Sequence, residues 1–234
     1  MPIVTALATV PSHPRGSEMP FYLSLCFLVL AFLGTSIHLV HWGMAELFMK
    51  TLPVAFLAVC ALFLTRNKFG PWVFFGAGLG AMGDFFLWIH YQYADPIGVC
   101  AFLGGHIAYS VAFFKDLYWT RTRGVIIGLV VVFMLAVCAW SALASGRMVS
   151  PAELAALSVY VTVMGVMMAI AVLHQSPTSF IAAGAIFFVI SDAHIALRQG
   201  MPSSIRLPLA LSGYLTYYLG QYLLVAGAAR ESRP

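Results

Sequence analysis

Two aspartates stand in long apolar runs and are the first candidates for chemistry in this sequence. Asp84 lies in the run FFGAGLGAMGDFFLW and Asp192 in the run FIAAGAIFFVISDAHIAL, each directly after a small residue. A carboxyl inside an apolar membrane helix costs about 2.5–3.5 kcal/mol on insertion scales, so it is rarely kept without a partner or a task. Two such groups can act as general acid and general base, relay protons, or hold helices together by hydrogen bonds.

Other polar residues recur three or four apart, the spacing that places side chains on one face of a helix. They form two predicted stripes: Phe102, His106, Tyr109, Ser110 and Phe113 in one, and Tyr214, Tyr218 and Gln221, with Tyr217 beside them, in the other. We predict that His106 and the nearby hydroxyls face the same cavity as Asp84. A core histidine with satisfied hydrogen bonds is the equal alternative.

The spacing of cysteine and histidine does not indicate a metal site. The four cysteines lie in apolar runs without the close spacing of a zinc site or a disulfide framework: Cys26, Cys60, Cys100 and Cys138. His194 follows Asp192 by two residues, which turns it to nearly the opposite helix face. We therefore predict neither a metal nor another cofactor.

Lys50 begins the segment KTLP, where a cation would either extend to the membrane interface or meet a lipid phosphate.

These residues lie in a chain with the composition of an integral membrane protein. Of 234 residues 62% are hydrophobic and 9% are charged, and the mean hydropathy is +0.93. Soluble domains carry roughly a quarter charged residues, and no soluble fold of this size can bury so much apolar surface. Alternation of polar and apolar residues is absent, so the sequence predicts an all-α bundle of membrane helices and not a barrel.

Polar residues, prolines and glycines divide the chain into about eight predicted membrane helices, which form one domain over residues 21–229. Their predicted bounds are Phe21–His41, Leu47–Thr65, Pro71–His90, Ile97–Lys115, Gly124–Leu143, Ala152–His174, Ser179–Arg198 and Ile205–Ala229. Residues 1–20 are predicted to be a flexible lead-in, and 230–234 a short tail. Connections this short leave no room for a soluble domain, so any chemistry lies within the bundle.

The basic residues predict the orientation of the chain and exclude one class of partner. The net charge is +4, but the twelve basic residues are spread over short loops and form no patch for nucleic acid. With eight spans, one side carries eight Lys and Arg residues and the other carries four: Arg15, Arg66, Lys68, Lys115, Arg121, Arg123, Arg230 and Arg233 against Lys50, Arg147, Arg198 and Arg206. Cytoplasmic loops collect such residues, so we expect cytoplasmic termini.

The third and seventh predicted helices resemble each other. Both are rich in small residues and then carry a small residue followed by an aspartate, at about the same depth in helices of the same direction. Two duplicated four-helix halves would produce this similarity. Shared apolar composition would produce it as well.

Five motifs in the chain resemble the YhhN-like membrane proteins, the family that includes the lysoplasmalogenases. They occur in the family's order between about residues 47 and 229: KTLPV at Lys50–Val54, GDFFLW at Gly83–Trp88, AFLGGHIAYSVAF at Ala101–Phe113, SDAHIAL at Ser191–Leu197 and TYYLGQYLL at Thr216–Leu224. The chain departs from the pattern at Gly105 and Gly220, where relatives carry threonine and alanine. Both departures are expected to change the shape of the pocket.

The resemblance implies an eight-helix enzyme that hydrolyses the vinyl ether of lysoplasmalogen to a fatty aldehyde and glycerophosphoethanolamine or glycerophosphocholine. It implies that Asp84 and Asp192 are the catalytic pair, and we expect their carboxyls to lie roughly 4–10 Å apart by analogy with glycosidases. The substrate-binding residues expected from the motifs and stripes are Lys50, His106, Tyr109, Tyr217, Tyr218 and Gln221. The expected partners are a lysophospholipid and membrane lipid, in a bacterial inner membrane or the endoplasmic reticulum.

Two other functions are compatible with the same residues. A proton-coupled transporter would use the aspartates and His106 to relay protons between alternating states, although paired helix breaks at mid-span are lacking. A lipid-binding or scaffold protein would use the polar side chains only to hold its helices together. Headgroup preference and oligomeric state are left open by the sequence.

Overall fold

The computed structural model describes residues 18–39, 43–65, 69–89, 94–144, 150–198 and 201–231. These residues form eight α-helices and one short 3₁₀ helix and no strand, which confirms the predicted all-α class: α1 Phe21–Ser36, the 3₁₀ helix Ile37–Leu39, α2 Met44–Leu64, α3 Gly70–Trp88, α4 Ala94–Phe113, α5 Arg121–Ala144, α6 Pro151–Leu173, α7 Phe180–Leu197 and α8 Ser203–Arg230. The lead-in up to residue 17 and the predicted span ends at His41 and His90 lie outside the described residues. So do five of the basic residues used for the orientation: Arg15, Arg66, Lys68, Arg147 and Arg233.

Five of the eight helices, α2, α4, α5, α6 and α7, are long and apolar enough to cross a membrane. The chain is therefore a multi-pass membrane protein by the length and composition of these helices. Helix α1 is apolar but has only 16 residues. Helices α3 and α8 are more polar, because α3 contains five glycines and Asp84 and α8 contains Arg206 and Gln221.

The most lipid-exposed helix is α5, whose outer side chains would be unstable in water. Leu129, Val132 and Leu143 are 67%, 65% and 83% exposed, while only 11% of the most apolar stretch of the helix is buried. An apolar surface of this kind is favourable only against lipid or another apolar partner. Helix α5 thus lies at the outside of the bundle.

Helix contacts repeat partly between the two halves of the chain. Consecutive helices pack together within α1–α4 and within α5–α8, and the halves meet through α2 against α8 and α4 against α6. These two junctions are equivalent if α1–α4 corresponds to α5–α8. Three further contacts, α3 with α8, α5 with α7 and α1 with α8, lack an extensive counterpart among the described residues. Under that correspondence α3 and α7, which carry the two aspartates, would be equivalent elements.

Glycines set the closest helix contacts in the half that contains Asp192. A Cβ atom added at Gly184 of α7 would lie 2.8 Å from the Leu224 backbone nitrogen and 2.9 Å from the Gly220 oxygen. One added at Gly220 of α8 would lie 3.0 Å from the Gly184 oxygen and from the Phe188 nitrogen. Small residues that face each other in this way let two membrane helices pack backbone to backbone. The departure from the family pattern at Gly220 is therefore a feature of the α7–α8 contact.

Gly184→Ala is expected to destabilise the protein by about 1–3 kcal/mol, because the new methyl group overpacks against backbone atoms that cannot rotate away. The matched control is Gly128→Ala in α5, where an added Cβ has no heavy atom within 4 Å. Alanine has the higher helix propensity, so the control is expected to be neutral or slightly stabilising. Apparent melting temperatures of both variants in one detergent test this prediction. Equal or higher stability of Gly184→Ala would contradict the close contact.

Candidate functional site

Asp84 lies close to the end of α3 and accepts a hydrogen bond from α8. The Tyr217 hydroxyl donates to Asp84 Oδ2 at 2.9 Å. Asp84 is half-buried, and Gly83 beside it is buried against the Phe102 ring of α4. Lys50 and Asp192 are both close enough to act on the Asp84 carboxyl electrostatically. The first aspartate is thus held by a tyrosine from another helix.

Asp192 has an equivalent arrangement with different partners. The Tyr160 hydroxyl of α6 donates to Asp192 Oδ2 at 2.6 Å, and His106 Nε2 of α4 lies 3.3 Å from the same hydroxyl oxygen. The distance from His106 Nε2 to Asp192 Oδ2 is 3.9 Å. His106 is fully buried, and the Asp192 side chain is 13% exposed. Three helices therefore meet at this carboxyl.

The two aspartates lie at similar depth and near the same end of the bundle. Asp84 precedes the last residue of α3, Trp88, by four positions, and Asp192 precedes the last residue of α7, Leu197, by five, or about 6–8 Å along each helix. Each carboxyl accepts from a tyrosine of a different helix. The two aspartates therefore occupy similar positions along their helices.

Aromatic rings connect the surroundings of the two carboxyls. The Phe188 ring lies 4.7 Å from the His106 ring and 5.4 Å from the Tyr217 ring, between centroids. The Phe102 ring packs against Tyr217 at 6.0 Å and against Phe188 at 6.4 Å. These rings form an apolar wall between the partners of Asp84 and those of Asp192. Helices α3, α4, α6, α7 and α8 all contribute to this site.

Gln221 and Tyr109 form a buried polar pair beside the Asp84 group. Both side chains are almost completely buried, and the Tyr109 hydroxyl donates to Gln221 Oε1 at 2.5 Å. A Cβ atom at Gly80 would lie 2.7 Å from Gln221 Nε2 and 3.1 Å from the Tyr217 hydroxyl. Gly80 therefore makes room for Gln221 and Tyr217, and the structure brings both beside α3. Ser110, from the same predicted stripe, donates to the His106 carbonyl within its own helix.

Lys50 and Tyr218 lie at the end of the bundle that contains the aspartates, where Lys50 forms an ion pair with Glu46. The Lys50 ammonium pairs with Glu46 Oε1 at 2.5 Å and lies 5.4 Å from the centre of the Tyr214 ring. The Tyr218 hydroxyl donates to the Lys50 backbone carbonyl at 2.9 Å, which fastens α8 to α2. Lys50 is buried, so its side chain does not extend freely into water. Tyr218 contacts the backbone of Lys50 through its hydroxyl.

The sequence reasoning missed Tyr160, which bridges His106 and Asp192. Tyr160 lies in none of the recognised motifs, and an isolated tyrosine in an apolar helix resembles an ordinary core residue. Its role is visible only when α6 packs against α4 and α7, because His106 and Asp192 lie 54 and 32 residues away from Tyr160 in the sequence. Glu46 was missed as well, although it precedes Lys50 by four residues, a spacing that favours an ion pair on a helix.

A second buried titratable pair lies at the opposite end of the bundle, away from the aspartates. His174 directly follows the membrane helix α6; its Nε2 lies 2.6 Å from Glu231 Oε2 and its Nδ1 lies 2.7 Å from the Lys115 carbonyl oxygen. Burial lowers the pKa of His174, but the hydrogen bond and charge of Glu231 outweigh it, with further contributions from Lys115 and Asp116. The His174 pKa therefore lies above its ordinary value.

Two clefts in the described part of the chain lie elsewhere. One of about 390 Å³ is apolar and runs between α2 and α3, and one of about 340 Å³ lies beside His174 between α5, α6 and α7. Neither is lined by Asp84 or Asp192. Among the described residues, no group of three or more His, Cys, Asp or Glu side chains is arranged to hold a metal ion.

The fold and the site together define a class of protein: a multi-pass α-helical membrane protein whose two helix-borne aspartates are each held by a tyrosine of a neighbouring helix. The model of the YhhN family matches residues 45–228, which is most of the chain. The protein belongs to the YhhN family, as its motifs predicted. Comparison with curated proteins and with solved structures found no match.

Proposed function

We propose that this protein is a lysoplasmalogenase-like ether hydrolase that acts on lysophospholipids within the membrane. Membership of the YhhN family supports a hydrolase of this kind. The observation that carries the proposal is that Asp84 and Asp192 each accept a hydrogen bond at Oδ2 from a tyrosine of another helix, and that aromatic rings connect the two groups. Acid–base hydrolysis of a vinyl ether requires a general acid and a general base, and two carboxyls fixed by hydrogen bonds can take these roles.

The proposed reaction begins when a carboxylic acid transfers its proton to the outer carbon of the vinyl ether. The resulting oxocarbenium ion is captured by water, and the second carboxyl removes a proton from that water. The hemiacetal then loses its hydroxyl proton and its bond to the glycerol oxygen breaks, while that oxygen is protonated. The products are a fatty aldehyde and the glycerophospho alcohol, much as paired carboxyls of glycosidases cleave an acetal through a related cation.

The remaining polar residues fit a role in holding the substrate. Lys50 carries a positive charge near Asp84 and can attract the phosphate of a headgroup. Gln221, Tyr109, His106 and Tyr217 offer hydrogen-bonding groups around the carboxyls. Tyr218 would act indirectly, by fastening α8 to the backbone of Lys50.

The proposal includes a membrane topology. All eight helices would cross the bilayer, with the polar residues of α3 and α8 facing neighbouring helices, and both termini would be cytoplasmic. The substrate headgroup would then sit at the membrane surface that contains the Lys50 end of α2. A bacterial inner membrane and the endoplasmic reticulum both suit this arrangement.

A proton-coupled carrier is the second candidate, because one observation favours it. His106, Tyr160 and Asp192 form a hydrogen-bonded chain inside the bundle, and such chains also serve proton transport. Proton movement across reconstituted vesicles in the absence of lysolipid would support this candidate. Aldehyde release without proton movement would remove it.

Purified protein in nanodiscs is expected to release fatty aldehyde from a vinyl-ether lysophospholipid. The matched substrates are the saturated ether and the ester with the same chain and headgroup, which lack the alkene carbon that accepts the proton. In D₂O the aldehyde should carry one deuterium on the carbon next to its carbonyl group. Absence of aldehyde from the vinyl ether, or equal cleavage of all three lipids, would contradict the proposed reaction.

A further inference from the structure

Asp192 differs from Asp84 because a histidine extends its hydrogen-bonded group. Tyr160 donates its hydroxyl proton to Asp192 Oδ2 at 2.6 Å, so its oxygen remains free to accept. His106 Nε2 lies 3.3 Å from that oxygen. If Nε2 carries the ring proton, all three groups form a chain that runs from His106 through Tyr160 to Asp192. Among the described residues, the Asp84 carboxyl accepts from Tyr217 and has no histidine beyond it.

The other ring nitrogen of His106 lies at the open end of this chain. His106 is fully buried, and its Nδ1 atom has no hydrogen-bond partner in the part of the chain that the structure describes. With the proton on Nε2, Nδ1 is an acceptor, and a buried acceptor without a partner is costly. A water molecule or a substrate hydroxyl is the ligand that would satisfy it.

We infer that His106, Tyr160 and Asp192 form a proton wire whose open end, His106 Nδ1, takes the proton from the attacking water. This inference rests on the proposed function for its substrate, the water that captures the oxocarbenium ion. Asp192 is then the general base, acting through the wire, and Asp84 is the general acid. Tyr160 is a positioning residue that also passes the proton.

The proton transfers balance over one cycle. Asp84 gives its proton to the alkene carbon. As water adds to the cation, a water proton moves to Nδ1, the Nε2 proton moves to the Tyr160 oxygen, and the Tyr160 hydroxyl proton moves to Asp192. When the hemiacetal breaks, its hydroxyl proton returns to Asp84, and the wire runs backwards to protonate the departing glycerol oxygen. Each residue ends in its starting state.

The wire explains how a buried histidine can transfer a proton without becoming charged. His106 gains a proton on one nitrogen as it loses one from the other, so it changes tautomer and stays neutral. A charged imidazolium is strongly disfavoured in the interior of a membrane protein. The Phe188 ring, 4.7 Å from the His106 ring, makes these surroundings apolar.

The wire can be tested without substrate, through the tautomer of His106. Protein with ¹⁵N-labelled histidine is placed in nanodiscs, and His106 is assigned by loss of its signals in His106→Asn. The native protein is expected to carry the proton on Nε2. In Asp192→Leu the Tyr160 hydroxyl loses its acceptor and turns to Nε2, so the proton should move to Nδ1.

The double variant Tyr160→Phe with Asp192→Leu is the control, because phenylalanine has no proton to donate and the tautomer should not change. A native proton on Nδ1, an unchanged tautomer in Asp192→Leu, or a change that persists in the double variant would overturn the wire. If Asp192→Leu does not fold, Tyr160→Phe decides alone. The Nε2–H resonance must then shift, since it loses its acceptor, and an unchanged resonance overturns the inference.

Activity provides a separate readout. Tyr160→Phe is expected to lower kcat by about 100-fold, the lower range for acid–base groups, with little change in KM. The matched control is Tyr222→Phe, which removes a hydroxyl that meets Ser24 Oγ at 2.9 Å between α8 and α1 and should keep native turnover. Lack of aldehyde release by the native protein would contradict the proposed function alone, since the tautomer experiment still decides the wire. Native turnover in Tyr160→Phe would overturn the wire.

Discussion

Replacing either Asp84 or Asp192 by asparagine is expected to lower aldehyde release at least about 100-fold, the lower range for loss of an acid–base group. Asparagine keeps the volume of aspartate and can still accept a hydrogen bond from Tyr217 or Tyr160 through its side-chain oxygen. It cannot exchange the proton that the reaction needs. The loss should therefore appear in kcat, with the protein folded and the substrate bound about as well as before.

The matched control for both variants is Asp95→Asn, because Asp95 lies exposed in the first turn of α4. It makes the same change of carboxyl to amide in the same chain and should leave turnover unchanged. Size-exclusion profiles and melting temperatures of the three variants confirm that folding survives. A folded Asp84→Asn or Asp192→Asn protein with full aldehyde release would refute the carboxyl pair even if the hydrolase activity itself is found.

The helical class and the identity of the aspartates could be predicted because both depend on local properties of the sequence. Apolar runs of membrane length dictate helices, since backbone polar groups have no other partner in lipid. A carboxyl inside such a run is conspicuous because its insertion is costly. Asp84 and Asp192 were therefore visible at once, and the helices that carry them lie within a few residues of the predicted bounds.

Which tyrosine holds each aspartate could not be predicted, because the pairing depends on which helices meet. Tyr217 was expected in the site, but not as the partner of Asp84. Tyr217 lies 133 residues from Asp84, and Tyr160 lies 32 residues from Asp192, so no periodicity within one helix relates them. A tyrosine in a membrane helix is also a common core or interface residue. Only the packing of α8 against α3 and of α6 against α7 distinguishes these hydroxyls from others.

The role of His174 was hidden for a different reason. A histidine at the end of a membrane span usually faces the interface, so the position of His174 at the end of the predicted span did not indicate a buried pair. In the fold its side chain is only 1% exposed, because the connections before α5 and before α7 pack together there: the Tyr118 nitrogen donates to the Leu173 oxygen, and the Gln175 nitrogen to the Asp116 oxygen. The last turn of α8 then brings Glu231 to His174.

Breaking the pair of His174 and Glu231 is expected to be among the most destabilising single changes in the chain. The two side chains are 1% and 7% exposed, so removing one partner leaves the other buried without its counter-charge, a loss of about 3–5 kcal/mol for buried ion pairs. Glu231→Gln should therefore lower the apparent melting temperature markedly. The matched control is Glu18→Gln, since Glu18 is 73% exposed and lies 3.9 Å from Arg230, an arrangement worth little.

The same pair predicts how stability changes with pH. The His174 pKa in the folded protein lies above the value of 6.5 expected in the unfolded chain. The protonated imidazole therefore contributes its full share to the free energy of unfolding below about pH 6.5, and this share is lost as the pH rises through the folded pKa. The melting temperature of the native protein should thus exceed that of His174→Gln by the largest margin at a pH of about 6, below the unfolded-state pKa. The difference between their melting temperatures should shrink as the pH is raised further. A difference that stays constant or grows with pH would show that the buried imidazole is not held in its charged form by Glu231.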